Sequence, residues 1–371
     1  MYNIRSQSSA LRRACHRTIK ASGAALLLLA LASPARSGPL FGALSNFDVY
    51  NDTGQLTHGF EIELDGLTAT DVLYTFGGTY NRYGSPSVEN FAGGVYVRYR
   101  SSYNAAAGSF TQATPIPTSF VPTGGHACWS GGSAAYLSSG CEHFGVSTLG
   151  NATATHYRWL IADPAANGSL KAFGTDVTIP APVWTVTPPP PPPPPVPGVP
   201  PVPPAPPVIR AAIPAELPEN PELFGEAQWV KVFVTETETE VELHHLVSDD
   251  PIVPHTESET EVEWVLQQFD PGNPDANELA SEGKLGNNKV SIIRRYEFYK
   301  YAGAYDPESH EALCAGGSCS TPSGGDLGQY IGAQMAAINL GAQAGPVPEP
   351  ASLALIGAGL CAMGLLLQRR N

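Results

Sequence analysis

Short stretches of period-two alternation run through the first half of the chain. Phe60, Ile62 and Leu64 alternate with Glu61 and Glu63, and Val95, Val97 and Tyr99 alternate with Tyr96, Arg98 and Arg100. Successive side chains of an extended chain point to opposite faces, so this pattern predicts half-buried β-strands. Asp71 to Phe76 and His156 to Ala162 add two further candidates. Turn-forming pairs punctuate them, among them Asp65-Gly66, Gly77-Gly78, Gly124-Gly125 and Asn167-Gly168. No long amphipathic helical pattern interrupts the series. Short alternating strands broken by Gly and Asn predict a β-sandwich-like domain.

The same period returns later with a different composition. Thr235 to Leu243 reads TETETEVEL and Thr256 to Trp264 reads TESETEVEW, identical at seven of nine positions. Both are expected to be strands, with the bend Asp249-Asp250-Pro251 between them. Their glutamates then line one face, solvated or, as the alternative, able to bind divalent cations. A third strand is expected over Val290 to Tyr301.

Between these regions, residues 188 to 207 hold 15 prolines in 20 positions. Proline fixes φ and lacks an amide hydrogen, so the stretch is expected to be a polyproline II rod, about 60 Å long at about 3.1 Å per residue. Gly316 to Gly345, rich in Gly, Ala and Gln, is expected to be a second spacer with one weak helical pattern at Ile331, Met335 and Ile338. The fold class expected is therefore all-β. A β-sandwich-like domain at 38–187 and an acidic β domain at 208–312 are joined by the rod at 188–207, share no core, and are followed by a Gly/Ala-rich linker at 313–345.

The two ends differ from the middle. Arg5, Arg12, Arg13, Arg17 and Lys20 precede the apolar run Ala21 to Ala32 and a small-residue site, which predicts a secretory signal peptide over 1–37. Ala351 to Leu367 is an uncharged stretch of 17 residues, about 25 Å as a helix, which predicts a transmembrane helix at 351–367. Arg369 and Arg370 follow it, on the side that basic residues favour, the cytoplasmic one.

The C-terminal residues 346–371 resemble a PEP-CTERM sorting signal, with the Val-Pro-Glu-Pro-Ala-Ser start, the apolar run and the arginine end. The resemblance implies a processing signal at Pro348, Glu349 and Pro350, recognised by a membrane-embedded exosortase. It implies export through the Sec translocon, a precursor held transiently in the inner membrane, and delivery to the cell surface or the extracellular matrix. It also implies a setting of exopolysaccharide production. It covers the tail alone and says nothing of the rest of the chain.

Charge narrows the partners. Residues 38–186 hold 10 acidic and 5 basic side chains, and residues 208–312 hold 22 and 7, for net charges of −5 and −15. Such a surface lacks the basic footprint that nucleic acid needs. Outside the cytoplasm, the ectodomain cysteines are expected to pair with their nearest neighbours, Cys128 with Cys141 and Cys314 with Cys319. The alternative for the first pair is a tetrahedral zinc site with His126 and His143.

Motif searches for catalysis return near misses. His310-Glu311-Ala312-Leu313-Cys314 has a cysteine where the zincin motif needs its second histidine. Gly357-Ala358-Gly359-Leu360-Cys361-Ala362 fits a dinucleotide-binding pattern but lies inside the apolar tail. Asn273, Asp275 and Asn277 have calcium-loop spacing, yet Lys284 stands where the closing glutamate belongs, so a polar turn is expected. No enzyme activity, metal or cofactor is expected. The leading reading is an exported surface or matrix protein with a structural or adhesive role. A carbohydrate-binding protein is the alternative, carried by Tyr74, Tyr80, Tyr83, Tyr96, Tyr99, Tyr103 and Trp129, and a hydrolase with an unrecognised site is the third.

Overall fold

An apolar side chain on every second position commits a strand to one core face, and the observed strands follow that rule where one face meets water. The computed structural model describes residues 41–340 except 175, 178, 188–206, 248–252, 254–260, 274–276 and 287. The first strands are β1 (Phe41–Tyr50), β2 (Gly59–Asp65), β3 (Val72–Thr75), β4 (Ser87–Phe91) and β5 (Gly94–Arg100). A small hairpin of β6 (Tyr103–Asn104) and β7 (Ser109–Phe110) follows, then β8 (Cys141–Thr148), β9 (Thr155–Ala162), β10 (Leu170–Ala172) and β11 (Val183–Thr187). The later strands are β12 (Val208–Pro214), β13 (Gln228–Thr237), β14 (Glu261–Gln267), β15 (Glu278–Lys284) and β16 (Ser291–Tyr301). A second small hairpin, β17 (Ala304–Tyr305) and β18 (Ala312–Leu313), precedes the last strand, β19 (Leu327–Asn339).

The strands predicted at Phe60–Leu64, Asp71–Phe76, Val95–Arg100, His156–Ala162 and Val290–Tyr301 are present as β2, β3, β5, β9 and β16. The first acidic echo is corrected in part. β13 ends at Thr237, and Val241 and Leu243 turn inward to pack with Leu246, Ile293, Met335 and Ala337. Leu243–Val247 is a short helix. Of the second echo, Glu261 onward forms β14, while Thr256–Thr260 and the Asp249-Asp250-Pro251 bend lie outside the described residues.

The expectation of two separate domains is also corrected. One sheet runs β14-β13-β16-β19-β1-β8-β3, so strands from before and after the proline stretch alternate within a single hydrogen-bonded layer. A second sheet, β10-β9-β2-β5-β4, and a third, β11-β12-β15, pack on it. The shared core contains Phe47, Phe60, Val97, Phe144 and Trp159 together with Val230, Val232, Leu279, Tyr296 and Phe298. Phe60 stacks on Phe144 at 4.2 Å between ring centroids, and Phe47 meets Tyr157 at 4.4 Å.

The supposed Gly/Ala linker contains the strand that joins the halves. β19 pairs antiparallel with β1 on one side and β16 on the other, and Tyr330–Ile338 are all buried. Its small residues, expected to give flexibility, serve close packing. A side chain at Gly332 would run into the Asp48 carbonyl of the neighbouring strand. The helical spacing of Ile331, Met335 and Ile338 is coincidental.

The rod is corrected in its role. Residues 188–206 lie outside the described residues, but Thr187 pairs with Val208 across the β11–β12 ladder. The two ends of the proline stretch are thus held side by side, and it does not hold two domains apart. The expected signal peptide at 1–37 and the tail, with Pro348, Glu349, Pro350 and the expected span 351–367, lie outside the described residues. Among the described residues no helix is long and apolar enough to cross a membrane.

On the outward face of the second sheet the polar half of the alternation is an ion-pair ladder. Arg98 reaches Glu61 at 2.6 Å and Glu89 at 3.0 Å, and Arg158 reaches Asp176 at 2.8 Å and also Glu63. Glu61 is consequently buried although it points away from the core.

One core implies one unfolding transition. Urea titrations followed through Trp159 and through Trp229 are expected to coincide. Phe47→Ala should move both midpoints together, by about 3 to 5 kcal/mol; two separate transitions would restore the two-domain reading.

Candidate functional site

Strand β8 begins Cys141-Glu142-His143, and all three side chains are buried. Alternation sends Glu142 toward the sandwich interior, as the pair of Val49 in the register, and His143 to the other face, opposite Asp48. An ionisable group in such a place is tolerated only when it is paired and hydrogen-bonded, and each of these is.

His143 Nδ1 donates to Asp48 Oδ1 at 2.6 Å. The Asp48 carboxylate also accepts the Ala127 and Cys128 backbone N–H groups, at 2.8 and 3.3 Å. His143 Nε2 has no hydrogen-bond partner among the described residues, and its ring meets Phe76 edge-on at 4.5 Å. Glu142 accepts from Arg82 Nε at 2.5 Å, from the Tyr136 hydroxyl at 2.5 Å and from Thr114 Oγ1 at 2.8 Å. Burial holds the Glu142 carboxyl above the ordinary carboxylate range, although the Arg82 charge and these donors pull it back down. The Tyr83 hydroxyl beside it is pushed up by burial and by the Glu142 charge.

These contacts fasten two surface loops. The loop from Thr123 to Gly140 is held by the Cys128–Cys141 disulfide and by Asp48. The loop from Gly77 to Ser85 is held by Asn81 Nδ2, which donates to the His143 carbonyl at 2.8 Å, and by Arg82 on Glu142. Ser130 joins the loops, its N–H donating to the Tyr80 carbonyl at 3.1 Å and its Oγ to that of Thr79 at 3.1 Å.

The aromatic residues named from sequence separate into distinct roles. Tyr83 and Tyr99 are buried, Tyr99 donating to the Phe76 carbonyl at 2.6 Å. Tyr96 lies beneath the Arg98 guanidinium at 3.7 Å and stacks on Phe91, and Tyr103 donates to Asn167 at 2.6 Å. Tyr74 and Tyr80 are exposed. Tyr80 meets Trp129 at 5.5 Å and 77°, and Phe76 stands behind both, 6.3 Å from Tyr80 and 6.1 Å from Trp129. The Trp129 indole N–H donates to the His126 carbonyl at 2.6 Å, and a side chain on Gly131 would collide with the ring.

Both expected disulfides are in place, Cys128 with Cys141 and Cys314 with Cys319. A sulfur in a disulfide is no thiolate ligand, and His143 is engaged by Asp48, so the zinc arrangement is not the one found. His310 sits in a loop with φ of 65° and stacks on Tyr305 at 4.4 Å; it begins no helix. Asn273 and Gly272 donate backbone N–H groups to Asp270 Oδ1 at 3.1 and 2.7 Å, a polar turn, while Asp275 lies outside the described residues. Among the described residues no group of three or more His, Cys, Asp and Glu side chains is placed to hold a metal ion.

Sequence reading singled out Cys141, His143 and Trp129 but missed Asp48, Asn81, Arg82 and Glu142 as their supports. Only the Cys-Glu-His run hinted at them. Asp48 and Arg82 lie 95 and 60 positions from their partners.

The comparisons with known proteins meet this chain only at its end. A family model described as the PEP-CTERM protein-sorting motif matches residues 346–370. No curated protein and no solved structure matches the chain.

Two measurements follow. Intact mass of the purified chain with alkylation is expected to show the four thiols of Cys128, Cys141, Cys314 and Cys319 only after reduction; thiols reactive without reductant would contradict the pairing. The second concerns pH. The folded-state pKa of Glu142 lies above the unfolded value of about 4.3, so its contribution to stability is full below that value and is lost as pH rises through the raised one. The wild type should therefore lose stability relative to Glu142→Gln over that rise, read as urea midpoints across a pH series. A difference that moves the other way would show that Arg82 outweighs burial.

Proposed function

From the sorting motif at residues 346–370, we propose that this exosortase-sorted, secreted protein has a structural or adhesive role at the cell surface or in an exopolysaccharide matrix. Export, processing by an exosortase and a membrane-anchored precursor follow from the motif itself. The finer parts of the reading are passage through the Sec translocon behind a signal peptide, transient residence of 351–367 in the inner membrane, and a matrix role in place of catalysis.

The observation that carries this reading is the junction of the motif with the fold. β19 ends at Asn339 and the motif begins at residue 346, so a cut at Pro348-Glu349-Pro350 would leave the central strand whole. A released chain would keep its core and both disulfides, as an extracellular protein without a membrane needs to. The non-catalytic part is supported by the engagement of three buried ionisable groups: Asp48 and His143 are closed off from solvent and tied to each other, Asp48 also to loop backbone, and Glu142 is tied to the Arg82, Tyr136 and Thr114 side chains. The net charge of −14 suits solubility and mutual repulsion in a matrix.

The test uses two epitope tags in cells with an active exosortase, one beyond Arg370 and one in the exposed loop at Ser130–Ala135. The tags are expected to part, the loop tag reaching the surface or medium without the C-terminal one. Both tags staying on one membrane-bound species would mean a permanent anchor and would overturn the sorting step.

A further inference from the structure

Exposed aromatic rings are costly to leave in water, and rings that are both exposed and rigidly held are a mark of recognition. Tyr80 is 53% exposed, and Trp129 beside it is partly so. Their rings stand at 77° to one another, forming a corner backed by the buried Phe76. Neither loop is free to collapse over the corner. The Cys128–Cys141 disulfide and the Asp48 carboxylate hold one, Asn81 and Arg82 hold the other, and Ser130 ties the two together.

We propose that the Tyr80–Trp129 corner is a carbohydrate-binding subsite that takes the apolar face of a neutral pyranose ring. This deepens the surface-protein reading and rests on it. A hexopyranose carries its axial C–H groups on a flat face the size of one aromatic ring, with hydroxyls around its edge. The corner offers the complement. The only donor of the Trp129 indole is spent on the His126 carbonyl, so the ring presents carbon surface to the solvent. Thr79 and Ser130, both exposed, adjoin the two rings in sequence; the Thr79 hydroxyl can donate to or accept from the sugar edge, and that of Ser130, which donates to the Thr79 carbonyl, can accept.

Charge selects the class of sugar. Arg82, two positions from Tyr80, is buried and paired with Glu142, and the chain as a whole carries −14. A polyanion would meet net repulsion, and Arg82, paired inward, is not available to receive it, whereas a neutral glycan loses nothing. Size separates a sugar from a protein partner, because a stable protein interface buries about 800 Å² on each side and two rings with a hydroxyl rim offer much less. Pre-organisation lowers the ordering cost that a small contact area would otherwise fail to meet. The glycines serve the same end, since a side chain at Gly131 would push the indole out of its place.

The experiment is native affinity electrophoresis of the full chain in mild detergent, in gels containing hydroxyethyl cellulose, galactomannan or xylan, with alginate as the anionic counterpart. At least one neutral polysaccharide is expected to retard the wild type, and alginate is not. Tyr80→Ala and Trp129→Ala should each weaken binding by about three- to tenfold, the loss of one ring contact. Phe110→Ala, an aromatic change in the separate β6–β7 hairpin, should bind as the wild type does. Tyr80 is exposed and its hydroxyl makes no hydrogen bond among the described residues, so its variant keeps the test meaningful even where Trp129→Ala destabilises the loop. Thermal midpoints check both. Absence of retardation by all three neutral polymers, retention of binding by Tyr80→Ala, or retardation by alginate alone would each overturn the proposal. None of those results touches the sorting reading, which stands or falls on the separation of the two tags.

Discussion

Strand β19 lies between β1 and β16, and the fold depends on that double pairing. Ser45 of β1 accepts a hydrogen bond from Gln334 of β19, 289 positions away. Closing so long a loop costs on the order of 5 kcal/mol of chain entropy, and the pairing repays it only because both faces of the strand are then covered. On one face Ile331 joins the sandwich core; on the other Met335 and Ala337 pack with the segment around Leu243 and Leu246. Without β19, β1 and β16 would each expose an unpaired edge beside the largest hydrophobic cluster in the molecule, a configuration prone to edge-to-edge association.

The neighbouring strand β8 makes a different contribution. Its first three residues supply a disulfide to the Thr123–Gly140 loop, a buried carboxylate to Arg82 of the Gly77–Ser85 loop, and a buried histidine to Asp48 of β1. Buried ion pairs add little net stability against a hydrophobic replacement. Their worth here is geometric. Asp48 orders the backbone at Ala127 and Cys128, Glu142 orders Arg82 and Tyr136, and the His143 carbonyl orders Asn81. The outcome is a pair of loops with fixed positions, carrying Tyr80 and Trp129 on a surface that would otherwise be mobile Gly/Ser-rich chain. The rigidity of the surface corner is therefore a property of the core.

Location and fold are connected through the chain end. The sorting motif starts a few residues after the strand that completes the main sheet. That strand is the last of the fold in chain order, so every strand of the main sheet lies ahead of the motif. A chain processed at the motif has all the strands it needs. The two disulfides, which close 13- and 5-residue separations, are local staples that do not bridge the distant halves.

What the sequence determined by itself was whatever depends on near neighbours. Strands with one face in water, such as β2, β5 and β9, announced themselves by alternation, short cysteine spacings named both disulfides, and the sorting motif is a contiguous string. The tertiary structure decided the rest. β1, β8 and β19 are covered on both faces, which erases alternation, so FGALSNFDVY and CEHFGVST passed unread and the Ala-rich LGQYIGAQMAAIN looked like a linker. The same blindness made two domains of one. Nor does local pattern distinguish Tyr80 from Tyr83, three residues apart, one exposed on a held loop and one buried against Thr114. That difference is set by residues up to 62 positions away that fix where the loop lies, and such contacts exist only once the chain has closed on itself.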